Sequence, residues 1–167
     1  MGKHVGLDFP EKHGEELREF YYEALMRAFG AADGDVTRIE RKNGDVKIVY
    51  KRGIWRYVDE YTDGEPFSGE TKVYHRGIKC FTMGYWGKVM PGANKQEVYD
   101  CLVPALLATD PNHPWRGYNT YVAKNGLCYM NGWSGDIEEF NGYETINSIC
   151  DDLLYEASYY GGIVNMS

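Results

Sequence analysis

The sequence has no uninterrupted apolar run approaching the roughly 18 residues that a bilayer span needs, and the opening MGKHVGLDFPEK holds no apolar signal region. Both absences point to a soluble, cytoplasmic chain with no membrane partner. Cysteine is sparse: Cys80, Cys101, Cys128 and Cys150 lie far apart with no Cys-x-x-Cys pair, which lacks a disulfide framework and suits reduced thiols. Basic residues are the minority, 18 Lys and Arg against 25 Asp and Glu. The resulting charge of −7 opposes the cationic field that phosphate binding requires, so no nucleic-acid partner is expected. His4, His13, His75 and His113 show no ligand spacing, and neither a metal nor another cofactor is expected. Neither GYWGKVMPG nor YYGGIV has the strand-to-helix fingerprint that cradles phosphate. The cysteines likewise lack a neighbouring base that would activate a nucleophile.

What the chain does have is tyrosine, fifteen of 167 residues, a side chain with a flat apolar face and a hydrogen-bonding tip. Its length suits one domain, 1–167, with no linker or low-complexity tract to divide it. From Glu15 to Ala31 the apolar residues Leu17, Phe20, Tyr21, Ala24, Leu25, Ala28 and Phe29 recur at three- and four-residue steps, the pattern of an amphipathic helix ended by Gly30 and Gly34. A helix and hairpin then fill 13–50. Glycine turns at Asn43-Gly44, Arg52-Gly53, Asp63-Gly64 and Arg76-Gly77 separate β-branched and aromatic runs into an antiparallel meander, the first repeat running over 54–90. Within 94–117, a second helix is predicted from Lys95 to Ala108, with Asn94 as its cap, Glu97 at capping-box spacing and Pro104 as a kink. Further strands fill 118–165, with turns expected at Asn125-Gly126, Asn141-Gly142 and Asp151-Asp152. The charges at Asp136, Glu138 and Glu139 read as a solvated hairpin.

The two strand regions keep step with one another. Tyr57, Asp59, Tyr61 and Thr62 align with Tyr129, Asn131, Trp133 and Ser134. After one inserted residue, Phe67-x-Gly69 aligns with Phe140-x-Gly142, and after another, Glu70-Thr71 with Glu144-Thr145. Phe81, Tyr85, Trp86, Gly87 and Val89 then match Tyr155, Tyr159, Tyr160, Gly161 and Ile163. A duplicated helix-plus-meander unit predicts an α+β fold: one broad antiparallel sheet with two helices on one face. Alternation along the last strand of each unit gives one apolar face. On the other face Thr82, Gly84, Glu156 and Ser158 form a polar floor ending in Trp86 and Tyr160, which serve either as sheet-end packing or as ligand walls.

Three further features bear on chemistry. Glu70 and Glu144, at matched positions, would form an acid/base pair if the two units faced each other, or would sit in solvent at hairpin starts. In NHPWRG, Arg116 has two open roles: clamping a carboxylate or phosphate, or bonding carbonyls at the end of the second helix. Trp115 beside it either covers an aromatic ligand or plugs the core.

The order Tyr57-x-Asp59-x-Tyr61, Pro66-Phe67-x-Gly69-Glu70, Val73-Tyr74, Met83-x-Tyr85-x-Gly87, Pro114-x-Arg116-Gly117, Phe140-x-Gly142-x-Glu144 and Tyr159-Tyr160-Gly161-Gly162 resembles a prokaryotic family of domains of unknown function. Members of that family stand alone or behind a helix-turn-helix regulator segment, and the likeness covers roughly Val46 to Val164. The region before Val46 lacks the second helix that a DNA reader needs. The resemblance implies a sensing or binding module and transfers no catalytic residue. The function expected is therefore non-enzymatic binding of a planar or anionic small molecule. Its candidate residues are Tyr57, Asp59, Tyr61, Glu70, Trp86, Trp115, Arg116, Trp133, Glu144 and Tyr160. The alternative is a protein interaction module or homodimer contact through exposed aromatics.

Overall fold

A computed structural model describes residues 9–30 and 34–165. His4, the opening residues before Phe9 and the expected helix end at Ala31 lie outside the described residues. The element order is α1 (Phe9–Phe29), β1 (Val36–Glu40), β2 (Val46–Arg52), β3 (Trp55–Tyr61), β4 (Phe67–His75), β5 (Ile78–Val89), α2 (Lys95–Leu107), β6 (Thr120–Val122), β7 (Cys128–Asp136), β8 (Glu139–Asn147) and β9 (Leu153–Ile163). All nine strands form one antiparallel sheet in the order β1-β2-β3-β4-β5-β9-β8-β7-β6. The fold is α+β, with both helices over the same sheet face.

Helix α1 begins six residues earlier than the apolar stripe suggests, because Pro10 lies in its first turn, where backbone N–H groups have no intrahelical acceptor and a missing donor costs nothing. Leu17, Phe20, Tyr21 and Ala24 are buried against Tyr50, Trp55, Tyr57, Val73 and Phe81, and Leu25 is buried as well. Helix α2 is capped as its sequence predicts, Asn94 Oδ1 accepting from Glu97 N at 3.2 Å. Pro104 lies inside its last turn and removes one donor there. Val98, Cys101, Leu102 and Ala105 bury a separate core with Tyr129, Ile146, Tyr155 and Ala157.

The turns at Asn43-Gly44, Asp63-Gly64, Arg76-Gly77, Asn125-Gly126 and Asp151-Asp152 fall between strands, and the one at Arg52-Gly53 starts on the last residue of β2. Asn141-Gly142 does not: it lies in mid-strand, Gly142 pairing with Trp133 on β7 and Tyr159 on β9. The glycine is there for space, since a Cβ would overlap the Tyr159 ring. The reversal occurs instead at Ile137-Glu138, between Asp136 and Glu139, where the charged hairpin was expected.

The centre of the sheet is the β5–β9 pair, where Tyr85 stands opposite Tyr159, Gly84 opposite Tyr160 and Trp86 opposite Ser158. Several contacts occur on both sides of this line. Tyr85 Oη donates to Asp59 Oδ1 at 2.8 Å, and Tyr159 Oη to Asn131 Oδ1 at 2.7 Å. A Cβ at Gly69 would overlap the Tyr85 ring as one at Gly142 would the Tyr159 ring. Asp59 pairs with Thr71, while Asn131 pairs with Glu144. By that pairing the counterpart of Glu144 is Thr71, and the second one-residue insertion of the sequence alignment was placed too early in the chain.

That single-residue slip moves a side chain to the other face. Glu70 lies on the helix-free face, bonded by Thr82 Oγ1 at 2.8 Å and 3.4 Å from Lys72 Nζ. Glu144 is fully buried on the helix-covered face. No acid/base pair forms between them.

Candidate cleft between the two helices

The ten candidate residues separate into three groups. Trp86 and Tyr160 share the helix-free face as their alternation predicts, 48% and 72% exposed, with Glu70 on the same side. The Tyr160 ring lies across β5, 3.4 Å from where a Gly84 Cβ would stand. There it covers Gly84, one residue of the expected floor.

Trp115, Trp133 and Tyr57 belong to packing. Trp115 is buried and stacked on Phe140 at 4.6 Å, which settles its two open roles in favour of a core plug. Trp133 is half-buried with its ring 5.4 Å from His113, and Tyr57 is buried with its ring edge against Tyr21 at 5.7 Å.

Asp59, Tyr61, Arg116 and Glu144 come together beneath the helices. Arg116 clamps a carboxylate, and that carboxylate is the chain's own. Its guanidinium forks onto Glu144, Nε to Oε2 at 3.1 Å and Nη2 to Oε1. Glu144 also accepts from Tyr129 Oη at 2.5 Å and Tyr155 Oη at 2.8 Å. Burial by itself would lower the Arg116 pKa, but the Glu144 carboxylate outweighs it and holds the guanidinium firmly protonated. The two phenols are pushed well above their ordinary range, first by burial and then by Glu144. They remain donors, and the carboxylate is saturated.

Asp59 is different. Its side chain is buried, the residue only 3% exposed, and Oδ1 accepts from Tyr85 Oη at 2.8 Å and Thr71 Oγ1 at 3.1 Å. Oδ2 has no hydrogen-bond partner among the described residues. Burial raises the Asp59 pKa to about 6, while the Tyr85 and Thr71 hydrogen bonds and the nearby Arg116 charge pull it down and Glu60 pushes it up.

Above Asp59 opens a cleft of about 420 Å³ between the end of α1 and the length of α2, within the usual size range of small-molecule sites. Tyr61, Phe67, Tyr85 and Tyr99 supply aromatic walls, Leu102, Val103 and Leu106 an apolar side, and Asp59 and Arg116 its base. Its rim is tied together by Glu65, which accepts from Tyr99 Oη at 2.7 Å and from Val89 N at 3.0 Å and stands 3.8 Å from Lys95 Nζ.

Sequence reasoning missed the α2 wall. The signal was present: Lys95, Tyr99, Leu102, Val103 and Leu106 form a second helical stripe beside the core stripe Val98, Cys101, Leu102 and Ala105, a wider apolar arc than the sheet contact needs. The buried thiols offer no competing site, Cys80 and Cys101 being raised by burial to about 12 and about 11. Among the described residues no group of three or more His, Cys, Asp or Glu side chains is placed to hold a metal ion, and no helix is long and apolar enough to cross a membrane.

Residues 59–164 match the model of a family described as a domain of unknown function, DUF5680. The matched span starts at Asp59 and includes Tyr85, Tyr99, Arg116 and Glu144, and leaves α1, β1 and β2 outside. No curated protein and no solved structure gives a match.

Proposed function

We propose that this chain, which belongs to the DUF5680 family, is a small-molecule-binding domain whose site is the cleft between α1 and α2. The observation that carries the reading is Asp59: a carboxylate almost wholly removed from water, held through one oxygen and left unpartnered at the other, at the base of an aromatic-walled opening. Its free oxygen opens onto the cleft, where water or a ligand donor reaches it, and a charge-assisted hydrogen bond made there is about twice as strong as a neutral one. An occupant on the order of 20 non-hydrogen atoms, at about 0.3 kcal/mol each, would bind with a Kd on the order of tens of micromolar. The binding role, as a sensor or a sequestering protein in the cytoplasm, is unchanged from the sequence reading. Its location moves from the helix-free face to the covered one.

The paired contacts about the β5–β9 line support a duplicated strand unit, β3–β5 and β7–β9. In this account both units kept the inward tyrosine and the glycine beneath it, while the second closed its polar centre with Arg116 and the first stayed open. The test is thermal-shift screening of metabolites against the parent protein and Val103→Trp, a variant that fills the cleft from a residue 40% exposed. Compounds that raise Tm in the parent and not in the variant support the reading. An absence of any such compound refutes it.

A second reading, association through the helix-free face, is favoured by Trp86, Tyr143 and Tyr160, all at least 46% exposed on β5, β8 and β9. Sedimentation velocity decides it: a homodimer that resists dilution in the parent and dissociates in Tyr160→Ala supports this interface.

A further inference from the structure

We propose that the cleft's occupant is an organic cation with a planar donor head, an amidine, guanidine or aromatic amine, whose N–H donates to Asp59 Oδ2 while its body lies on the aromatic wall. This rests on the cleft being the binding site. The argument is one of unpaired charge. Each cation that lines the cleft already has a carboxylate: Arg116 has Glu144, Lys95 has Glu65, and Arg38 has Glu40, its Nη1 going to Tyr61 Oη at 3.2 Å. Among the lining residues the charged groups without a salt bridge or complete hydrogen bonding are Asp59 at the base and Asp63 at the mouth, both acidic. An anionic ligand would have to displace an existing ion pair. A cationic one would complete a site.

The protein also contains a filled version of the same chemistry. At the matching level of the other ladder Glu144 is met by two tyrosine hydroxyls and a planar guanidinium fork. Asp59 has a tyrosine hydroxyl and a threonine hydroxyl, and no fork. What is missing from the second constellation is the planar cation. Arg116 and Lys95 already lie over the rings of Tyr85 and Tyr99, 5.3 and 5.6 Å from their centroids, so the wall is of a kind that attracts cations; Tyr61 and Phe67 add two more rings to the lining, and a charge-assisted N–H to carboxylate bond in a low-dielectric cleft is stronger than a neutral one.

The test uses three isosteres of different charge, benzamidine, benzamide and benzoate, titrated at millimolar concentration and pH 7.5 into the ¹⁵N-labelled full chain. Benzamidine is expected to shift the amides of Asp59, Tyr85, Tyr99 and Leu102 with a Kd at least tenfold below that of benzamide, and benzoate to leave them unmoved. Asp59→Asn, which puts at this position the residue its counterpart Asn131 already carries, is expected to weaken benzamidine at least tenfold and to keep a folded spectrum. The charge series in the parent protein decides the matter even if that variant does not fold. Benzoate or benzamide binding as tightly as benzamidine at those residues, or undiminished benzamidine binding to Asp59→Asn, overturns the cation and leaves the cleft standing. No shift at the cleft from any of the three, or shifts confined to Trp86 and Tyr160, overturns both.

Discussion

Asp59→Asn has an effect on stability that the structure predicts in sign and size. A carboxyl whose pKa stands at 3.8 when exposed and about 6 in the fold has its ionised form disfavoured by about 3 kcal/mol at neutral pH, each pKa unit being worth about 1.4 kcal/mol. Between pH 3.8 and 6 the folded state binds more protons than the unfolded one. Through this group, stability therefore rises as pH falls across that window, and the penalty is fully present above it. Asparagine removes the charge and keeps an acceptor for Tyr85 and Thr71, while its amide nitrogen faces the open cleft, where water reaches it at a cost of about 1 kcal/mol. The net gain expected at pH 7.5 is about 2 kcal/mol, or about 4–8 °C in Tm for a chain of this size. Urea unfolding followed by tryptophan fluorescence suits the measurement, because Trp55 and Trp115 are buried. The quantity to plot is the difference between variant and parent from pH 4 to 8, since other groups cancel in it. That difference should be largest above pH 6 and shrink towards pH 4. A variant less stable than the parent at pH 7.5, or a difference that does not change with pH, would refute the account of Asp59 as a buried, incompletely satisfied anion.

Glu144→Gln should have the opposite outcome, because it leaves the Arg116 guanidinium buried without its counter-charge; a loss of about 3–5 kcal/mol is expected in the same urea assay, and a loss below about 1 kcal/mol would show that the pair is solvated. Gly142→Ala places a Cβ inside the Tyr159 ring envelope and should cost about 3 kcal/mol. In Gly142→Ala/Tyr159→Leu the two changes should be far from additive, and additivity would mean that they do not touch. His75 lies with its ring 4.9 Å from that of His13 and 4.5 Å from that of Trp55, and its pKa is lowered first by burial and then by the charges of His13 and Arg76, with Glu16 opposing. The unfolded chain therefore takes up a proton near pH 6.5 that folded His75 resists, so stability falls as pH drops through that value. His75→Gln should flatten that part of the stability profile, and an unchanged slope between pH 7 and 6 would assign the acid sensitivity elsewhere.

Much of the architecture was legible from local signals. The stripe from Leu17 to Leu25, the Asn94 cap and the glycine turns each depend on a few neighbouring residues, so helices and hairpins could be placed without knowing the fold. The placement of Trp86 and Tyr160 on one uncovered face followed from the two-residue period of a strand. Asn141-Gly142 was misread because an asparagine–glycine pair favours a turn only when nothing else needs the space, and here the Tyr159 ring does. The Glu70–Glu144 pair failed for a related reason. A one-residue error in aligning two strands is invisible in sequence, yet it reverses which face a side chain occupies.

The sequence by itself determined the elements, their turns and the alternation that makes one sheet face apolar, because propensity and periodicity act over a few residues. Only the tertiary structure decided that Arg116 closes on Glu144, 28 residues away, that Tyr85 reaches Asp59 across 26, and that α2 stands beside the end of α1 to leave a cleft over that carboxylate. Hydrogen-bond partners and charge neutralisation depend on which distant groups the fold brings within about 3 Å, and no short stretch of chain contains that information.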